Sequence, residues 1–219
     1  MALKAIIFDF DGVLADTMQL HLESEQATFE KHGLSISRGK LCKFFGMKVS
    51  EFNKAVIKEF GLKASVEETV REKYNALDEL IKERGVKAVP GARELAFKAK
   101  KQGLKLGIAS GSRKKFVFAV LERIGLKKLF DVVLGEEDVE NGKPSPEIFL
   151  KCAEKLKVKP AECLVIEDAE NGIIAAKKAG MKALALKSSF SGEQDYSRAD
   201  KIIKSFKEVD LNKVKEWFG

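Results

Sequence analysis

The stretch AIIFDFDGVLADT, residues 5–17, decides how the rest of the chain reads. Ala5, Ile6, Ile7 and Phe8 form an apolar run too short for a helix and suited to a strand buried on both faces. The run stops at Asp9. Asp11 follows two positions later, and Gly12 can turn the chain where a side chain would be strained. Two carboxylates at the end of a buried strand are costly without compensation. A metal ion would supply it, and so would a division of roles in which one acid is ionised and the other protonated. Asp11-Gly12 alone is also ordinary turn chemistry, so the residues that follow the later strands decide between the two readings.

Beyond this stretch the chain changes character twice. Residues 18–32 read as an amphipathic helix with Leu22, Ala27 and Phe29 among its apolar positions, stopped by Gly33. Residues 37–45 are a short helix candidate before Gly46. Residues 50–60 repeat the pattern with Phe52, Val56, Ile57 and Phe60 and stop at Gly61, and 66–84 form a longer helix before Gly85. No strand pattern appears between 16 and 90, which predicts an all-helical insert. From Val89 onward strands and helices alternate: helix 92–102, strand 104–109, helix 114–124, strand 132–134, helix 146–156, strand 164–166, helix 169–179, then strands 183–186 and 201–203. Helix 146–156 has a proline near its start, where the missing N–H costs nothing. A helix over 211–218 closes the chain, with Trp217 packing it down. Strands separated by helices need crossovers, hence a mostly parallel α/β sheet covered on both faces. Ligands of such sheets sit at the carboxyl ends of the strands.

The residues just after each strand form a coherent set. Asp9 and Asp11 follow the first, and Ser110-Gly111-Ser112-Arg113 the second. A loop after the third leads to Gly142-Lys143-Pro144-Ser145-Pro146, and Glu167-Asp168 follow the fourth. A serine hydroxyl and free N–H groups hold a phosphate oxygen. A lysine neutralises phosphate or a nucleophilic carboxylate. Clustered carboxylates suit Mg²⁺. One Asp is able to attack phosphorus, and a second carboxyl to serve as acid and then base. Singly, these motifs are a turn, an exposed loop lysine and favourable first-turn acids of a helix. Their recurrence at corresponding ends of successive strands argues for a site.

Composition narrows the classes. The 219 residues suit one large domain, or a core with a smaller insert, and 45% hydrophobic with 33% charged residues is ordinary for a soluble protein. The net charge is +7, but its clusters (Lys98, Lys100 and Lys101; Arg113, Lys114 and Lys115; Lys177 and Lys178) are dispersed over helix-like segments. They read as solvated helix faces or as a field drawing in small anions, not as a nucleic-acid surface. Cys42, Cys152 and Cys163 show no CxxC spacing, which argues against a disulfide framework or a zinc site and for buried thiols in a reducing cytoplasm. No apolar run approaches a membrane span and no charged-then-apolar leader opens the sequence, so the expectation is a cytoplasmic protein without membrane partners. No heptad or clear apolar stripe stands out, and the expected state is a monomer.

The motifs DFDGVLADT (9–17), Ser110-Gly111-Ser112, KPSPEIF (143–149) and IEDAENGI (166–173), in this order, resemble those of the haloacid dehalogenase superfamily of phosphatases and phosphomutases, and most closely its beta-phosphoglucomutase-like branch. The resemblance covers essentially the whole chain. It implies a Rossmann-like catalytic core over residues 1–16 and 89–219 and a helical cap domain over 17–88, with hinges near 15–18 and 86–90. It implies that Asp9 is the nucleophile and Asp11 the acid/base. Mg²⁺ would be held by Asp9, the backbone carbonyl of Asp11 and Asp168, with Glu167 in or near its shell. Ser110 and Lys143 would hold the transferring phosphoryl group. His21 matches a cap-side histidine of the mutase branch, and Arg113 and Lys114 fall where that branch holds a second phosphate. Gly111, Ser112 and Lys48 complete the expected substrate contacts. Asp11 argues against dehalogenation itself, which in this superfamily needs neither metal nor a second acid. The loop 44–49 lacks the arginine expected three residues after Gly46 and the lysine expected just before it, leaving Lys48 without an arginine's bidentate fork. The expectation is therefore a Mg²⁺-dependent phosphatase acting on a small phosphomonoester, a sugar phosphate, through an aspartyl-phosphate. The alternatives are beta-phosphoglucomutase and a non-catalytic anion-binding protein on the same fold.

Overall fold

A computed structural model describes residues 2–41, 44–188 and 194–218. Six strands, β1 (Ala5–Phe8), β2 (Lys105–Ala109), β3 (Val132–Leu134), β4 (Cys163–Glu167), β5 (Lys182–Leu186) and β6 (Lys201–Ile203), form one sheet in the order β3-β2-β1-β4-β5-β6. Every pairing is parallel. The chain moves outward from β1 to β3, then returns to the other side of β1 with β4. The switch point therefore lies where β1 and β4 end, which is where ligand sites open in such sheets.

Period-two alternation sorts the strand side chains onto two faces. Ile6, Phe8, Leu106, Ile108, Leu164, Ile166, Leu184 and Leu186 join one buried cluster with helices α5 (Ala92–Lys101), α6 (Lys114–Arg123) and α9 (Leu211–Glu216). Ala5, Ile7, Ala109, Cys163, Val165, Ala183 and Ala185 face α7 (Glu147–Leu156) and α8 (Glu170–Lys178). Trp217 packs partly buried against the first cluster, as expected.

Between β1 and α5 the chain is helical, in α1 (Met18–Lys31), α2 (Arg38–Leu41), α3 (Val49–Phe60) and α4 (Val66–Arg84). Leu22, Phe29, Ile36, Leu41, Phe45, Phe52 and Val56 give this segment a core of its own. Its entry and exit run side by side: Asp16 N–H donates to the Lys87 carbonyl (2.9 Å) and Val89 N–H to that of Leu14 (3.0 Å). Two expectations are corrected here. Helix 37–45 does not run to its expected end: α2 covers Arg38–Leu41, with Gly39 in its middle weakening helix propensity, residues 44 and 45 are not α-helical, and 42–43 lie outside the described residues. Ala27 is only half-buried, because α1 turns a polar face inward: His21, Ser24, Glu25 and Thr28 are all buried. The Ser24 and Thr28 hydroxyls satisfy themselves on the His21 and Ser24 carbonyls, each at 2.8 Å. Cys152 and Cys163 are free buried thiols, and Cys42 lies outside the described residues. Among the described residues, no helix is long and apolar enough to cross a membrane.

Candidate active site

The ladder between β1 and β4 runs one bond past β1, from Asp9 N–H to the Ile166 carbonyl (2.9 Å), and so fixes Asp9 at the sheet's carboxyl edge. Lys143 reaches the same point from the loop before α7. Its ammonium donates to Asp9 Oδ1 (2.6 Å), Glu167 Oε1 (2.7 Å) and the Ala109 carbonyl (3.0 Å), which uses all three of its protons. The other Glu167 oxygen accepts from the backbone N–H groups of Asp168 and Ala169, both at 2.8 Å. Two glycines make room for these carboxylates. A Cβ on Gly172 would stand 1.7 Å from Glu167 Oε1, and one on Gly12, whose φ is +80°, would stand 2.3 Å from Asp168 Oδ2.

Asp9, Glu167 and Asp168 each offer an oxygen within 4.8 Å of the others, and all three are buried. One lysine faces three carboxylates there. Burial, reinforced by Glu167 and Asp11, outweighs Lys143 and pushes Asp9 up to about 8. Burial and the Glu167 charge raise Asp168 well above the carboxylate range. The same acids act on the lysine in the opposite sense: burial alone would lower Lys143, but Asp9 and Glu167 push it above its ordinary value. Hard oxygen donors with surplus negative charge in a buried pocket fit a small divalent cation such as Mg²⁺.

The Asp11 side chain turns away from this cluster. Thr17 Oγ1 (2.6 Å) and His21 Nε2 (2.9 Å) reach its Oδ1, and Ser112 Oγ (2.7 Å) with Ser110 Oγ (3.4 Å) its Oδ2. Burial alone would raise this carboxyl, but His21, Thr17 and Ser112 together hold it well below the usual range. The histidine's tautomer follows from its other neighbour. The Lys73 ammonium lies 2.8 Å from His21 Nδ1, which must therefore accept, leaving Nε2–H to donate to Asp11. Burial, then the Lys73 charge, lowers His21 and keeps it neutral.

A cavity opens between the sheet edge and the helical segment. Asp9, Asp11, His21, Glu25, Ser112 and Asp168 line its polar side, and Met18, Phe44, Phe45, Met47, Val49 and Phe52 its apolar side. The expected site residues divide accordingly. Asp9, Asp11, Lys143, Glu167 and Asp168 come together at the strand ends. Ser110 is fully buried beneath them, its Oγ accepting from Ser112 N–H (3.0 Å). Gly111 lies under the loop of the helical segment, with Val49 N–H on its carbonyl (3.3 Å). His21, Gly111 and Ser112 reach the cavity; Lys48, Arg113 and Lys114 are not in its wall. Lys48 Nζ bonds the carbonyls of Val139 (2.9 Å) and Glu140 (3.3 Å). Arg113 lies over the Tyr74 ring and pairs with Glu136 (3.3 Å), and Lys114 pairs with Asp138 (2.7 Å). Each is a cation already held by acceptors of the protein.

Sequence reasoning missed Glu25, Lys73 and Thr17. A signal for the first two was present: Glu25 stands three residues after Leu22 and four before Phe29, and Lys73 three after Val70 and four before Leu77. A charge within an apolar helical stripe marks a buried polar position.

The family model described as haloacid dehalogenase-like hydrolase matches residues 6–186. The protein YhcW of Bacillus subtilis is 38% identical over 217 residues, covering 95% of this chain and 94% of that protein. The phosphorylated carbohydrates phosphatase of Thermotoga maritima is 33% identical over 186 residues, covering 83% and 84%. The crystal structure of beta-phosphoglucomutase from Clostridium difficile superposes with a TM-score of 0.85 at 30% identity, covering 99% of this chain and 97% of that one. The six-stranded parallel sheet, the acidic cluster at its switch point and a family match over most of the chain agree, and this protein belongs to the haloacid dehalogenase-like hydrolases.

Proposed function

We propose that the protein is a Mg²⁺-dependent phosphatase that hydrolyses a small phosphomonoester, a sugar phosphate, through a phosphorylated Asp9. The observation that carries this reading is the pairing of Asp9 with Lys143 beside the Glu167–Asp168 pair, at the end of a cavity whose wall includes Asp9, Asp11 and Asp168. Asp9, Asp168 and the Asp11 backbone carbonyl would hold the cation, with Glu167 assisting. When bound, it neutralises the phosphoryl oxygens and the nucleophile. Asp9 attacks phosphorus, the bond to the leaving oxygen breaks, and that oxygen takes the proton of Asp11. Water then attacks phosphorus, Asp11 takes its proton, the bond to Asp9 breaks and inorganic phosphate leaves.

The donors around Asp11 favour its carboxylate, the form needed as a base. The acid form needs a hydroxyl to reverse its role, and those of Thr17 and Ser112 do so by rotating. Ser110 steadies the transferring group, Lys143 acts on the reaction through its bond to Asp9 Oδ1, and residues 17–88 act as a cap that excludes bulk water while the acyl phosphate exists. A mutase must instead grip a second phosphate, and Lys48, Arg113 and Lys114 are engaged with protein acceptors. That favours hydrolysis over phosphoryl return to the sugar.

The test is phosphate release from a panel of sugar phosphates by the wild type and Asp9→Asn. The variant is expected to lose activity by at least about a thousandfold. Undiminished turnover in a clean preparation would overturn the mechanism.

A further inference from the structure

On α1, Met18, His21 and Glu25 fall on one helical face, and all three line the cavity. The chemistry proposed above uses His21 but leaves Glu25 without a task. Glu25 is 6% exposed, and its Oε2 has no hydrogen-bond partner among the described residues. Lys73 is the opposing charge nearest in effect, yet its ammonium bonds His21 and no hydrogen bond joins it to Glu25. A buried acceptor without a donor is rare in a folded protein and is expected where a ligand supplies the donor.

We propose that Glu25 selects the substrate, its carboxylate pairing with a hydroxyl of the leaving group, so that the preferred substrate is a polyhydroxylated monophosphate with no second phosphoryl group. This inference rests on the phosphatase reading and narrows it. Three observations carry it. Glu25 shares the cavity with Phe45 and Phe52, whose apolar surface suits the C–H face of a carbon skeleton. Among the described residues, no lysine or arginine lines that cavity, so a second phosphate would meet Glu25 with no cation in the wall to pair with. Burial raises the Glu25 carboxyl to about 7 against the pull of Lys73, and a hydroxyl, being donor and acceptor, pairs with either form.

The experiment measures kcat/KM for phosphate release by the wild type, Glu25→Leu and Glu25→Gln. The substrates are glucose 6-phosphate, glucose 1,6-bisphosphate and phenyl phosphate, which lacks hydroxyls. Glu25→Leu is expected to lose at least tenfold on glucose 6-phosphate, and at least fivefold less than that on phenyl phosphate. Glu25→Gln, nearly isosteric and uncharged, is expected to raise the bisphosphate-to-monophosphate ratio at least threefold, whether or not the leucine variant folds. Equal losses on all three substrates in folded Glu25→Leu, or an unchanged ratio in Glu25→Gln, would overturn the role of Glu25 and leave the phosphatase reading standing. A wild type that releases phosphate from none of them would overturn both.

Discussion

At the sheet end of the cavity the three protons of the Lys143 ammonium are all taken and both Glu167 oxygens are bonded. On the α1 side Glu25 Oε2 stands alone among the described residues. The two ends are equally buried, so solvent does not explain the contrast. What differs is how the groups are supplied. The sheet end is built from the ends of neighbouring parallel strands and the Lys143 loop, and their register sets the partners of Asp9 and Glu167 before any ligand arrives. The α1 side is one helix face packed over an opening, where His21 finds protein partners in Asp11 and Lys73 but Glu25 Oε2 finds none among the described residues. Pre-paired charges suit the step shared by all substrates of a phosphoryl-transfer enzyme, and an unpaired acceptor suits discrimination among them.

The contrast breaks most visibly at Lys143. Lys143→Met strips Asp9 and Glu167 of their only direct cation among the described residues, and activity is expected to fall about a thousandfold. The metal-free protein should also lose about 3 kcal/mol in urea unfolding, because a carboxylate pair is left buried without its partner. An unchanged midpoint would mean that the sheet end is less tightly coupled than its distances indicate. Gly172→Ala should cost less, about 2 kcal/mol, since its Cβ would sit 1.7 Å from Glu167 Oε1 and the first turn of α8 must shift. Weaker Mg²⁺ binding by calorimetry should accompany that loss.

The smallest expected effect tests the other end. Burial raises Glu25 from 4.5 to about 7 in the folded protein against the pull of Lys73. The folded state therefore holds a proton between those values that the unfolded chain has released. The resulting stability is present below about pH 4.5 and is lost as pH rises through about 7. Glu25→Gln lacks this term, so relative to the wild type it should gain stability between pH 5 and pH 8 in paired urea titrations. A stability difference that stays constant with pH would show that Glu25 is already paired in the free protein.

The same contrast governed what was legible in the sequence. Strands β1, β3 and β6 and helix α4 have the ends expected of them, because apolar runs and helix periods bounded by Gly are local signals. The members of the acidic cluster were legible because each stands at or just past the end of a strand. The fates of Lys48, Arg113 and Lys114 were not. Whether a cation meets the ligand or a carbonyl such as that of Val139 depends on how the helical segment settles on the core, a contact 91 residues away in sequence. Glu25 was harder to read for a related reason: its place between Leu22 and Phe29 points to burial, but what it faces there is set by the packing of α1 over the sheet edge.

The most direct test of the central claim is phosphorus NMR of the wild type with Mg²⁺, beta-glucose 1-phosphate and a trace of the 1,6-bisphosphate. Inorganic phosphate accumulating, and none with Asp9→Asn, is the expected result. Glucose 6-phosphate accumulating in its place would contradict the account, because it would require a grip on a second phosphate by cations that here are bonded to the protein itself.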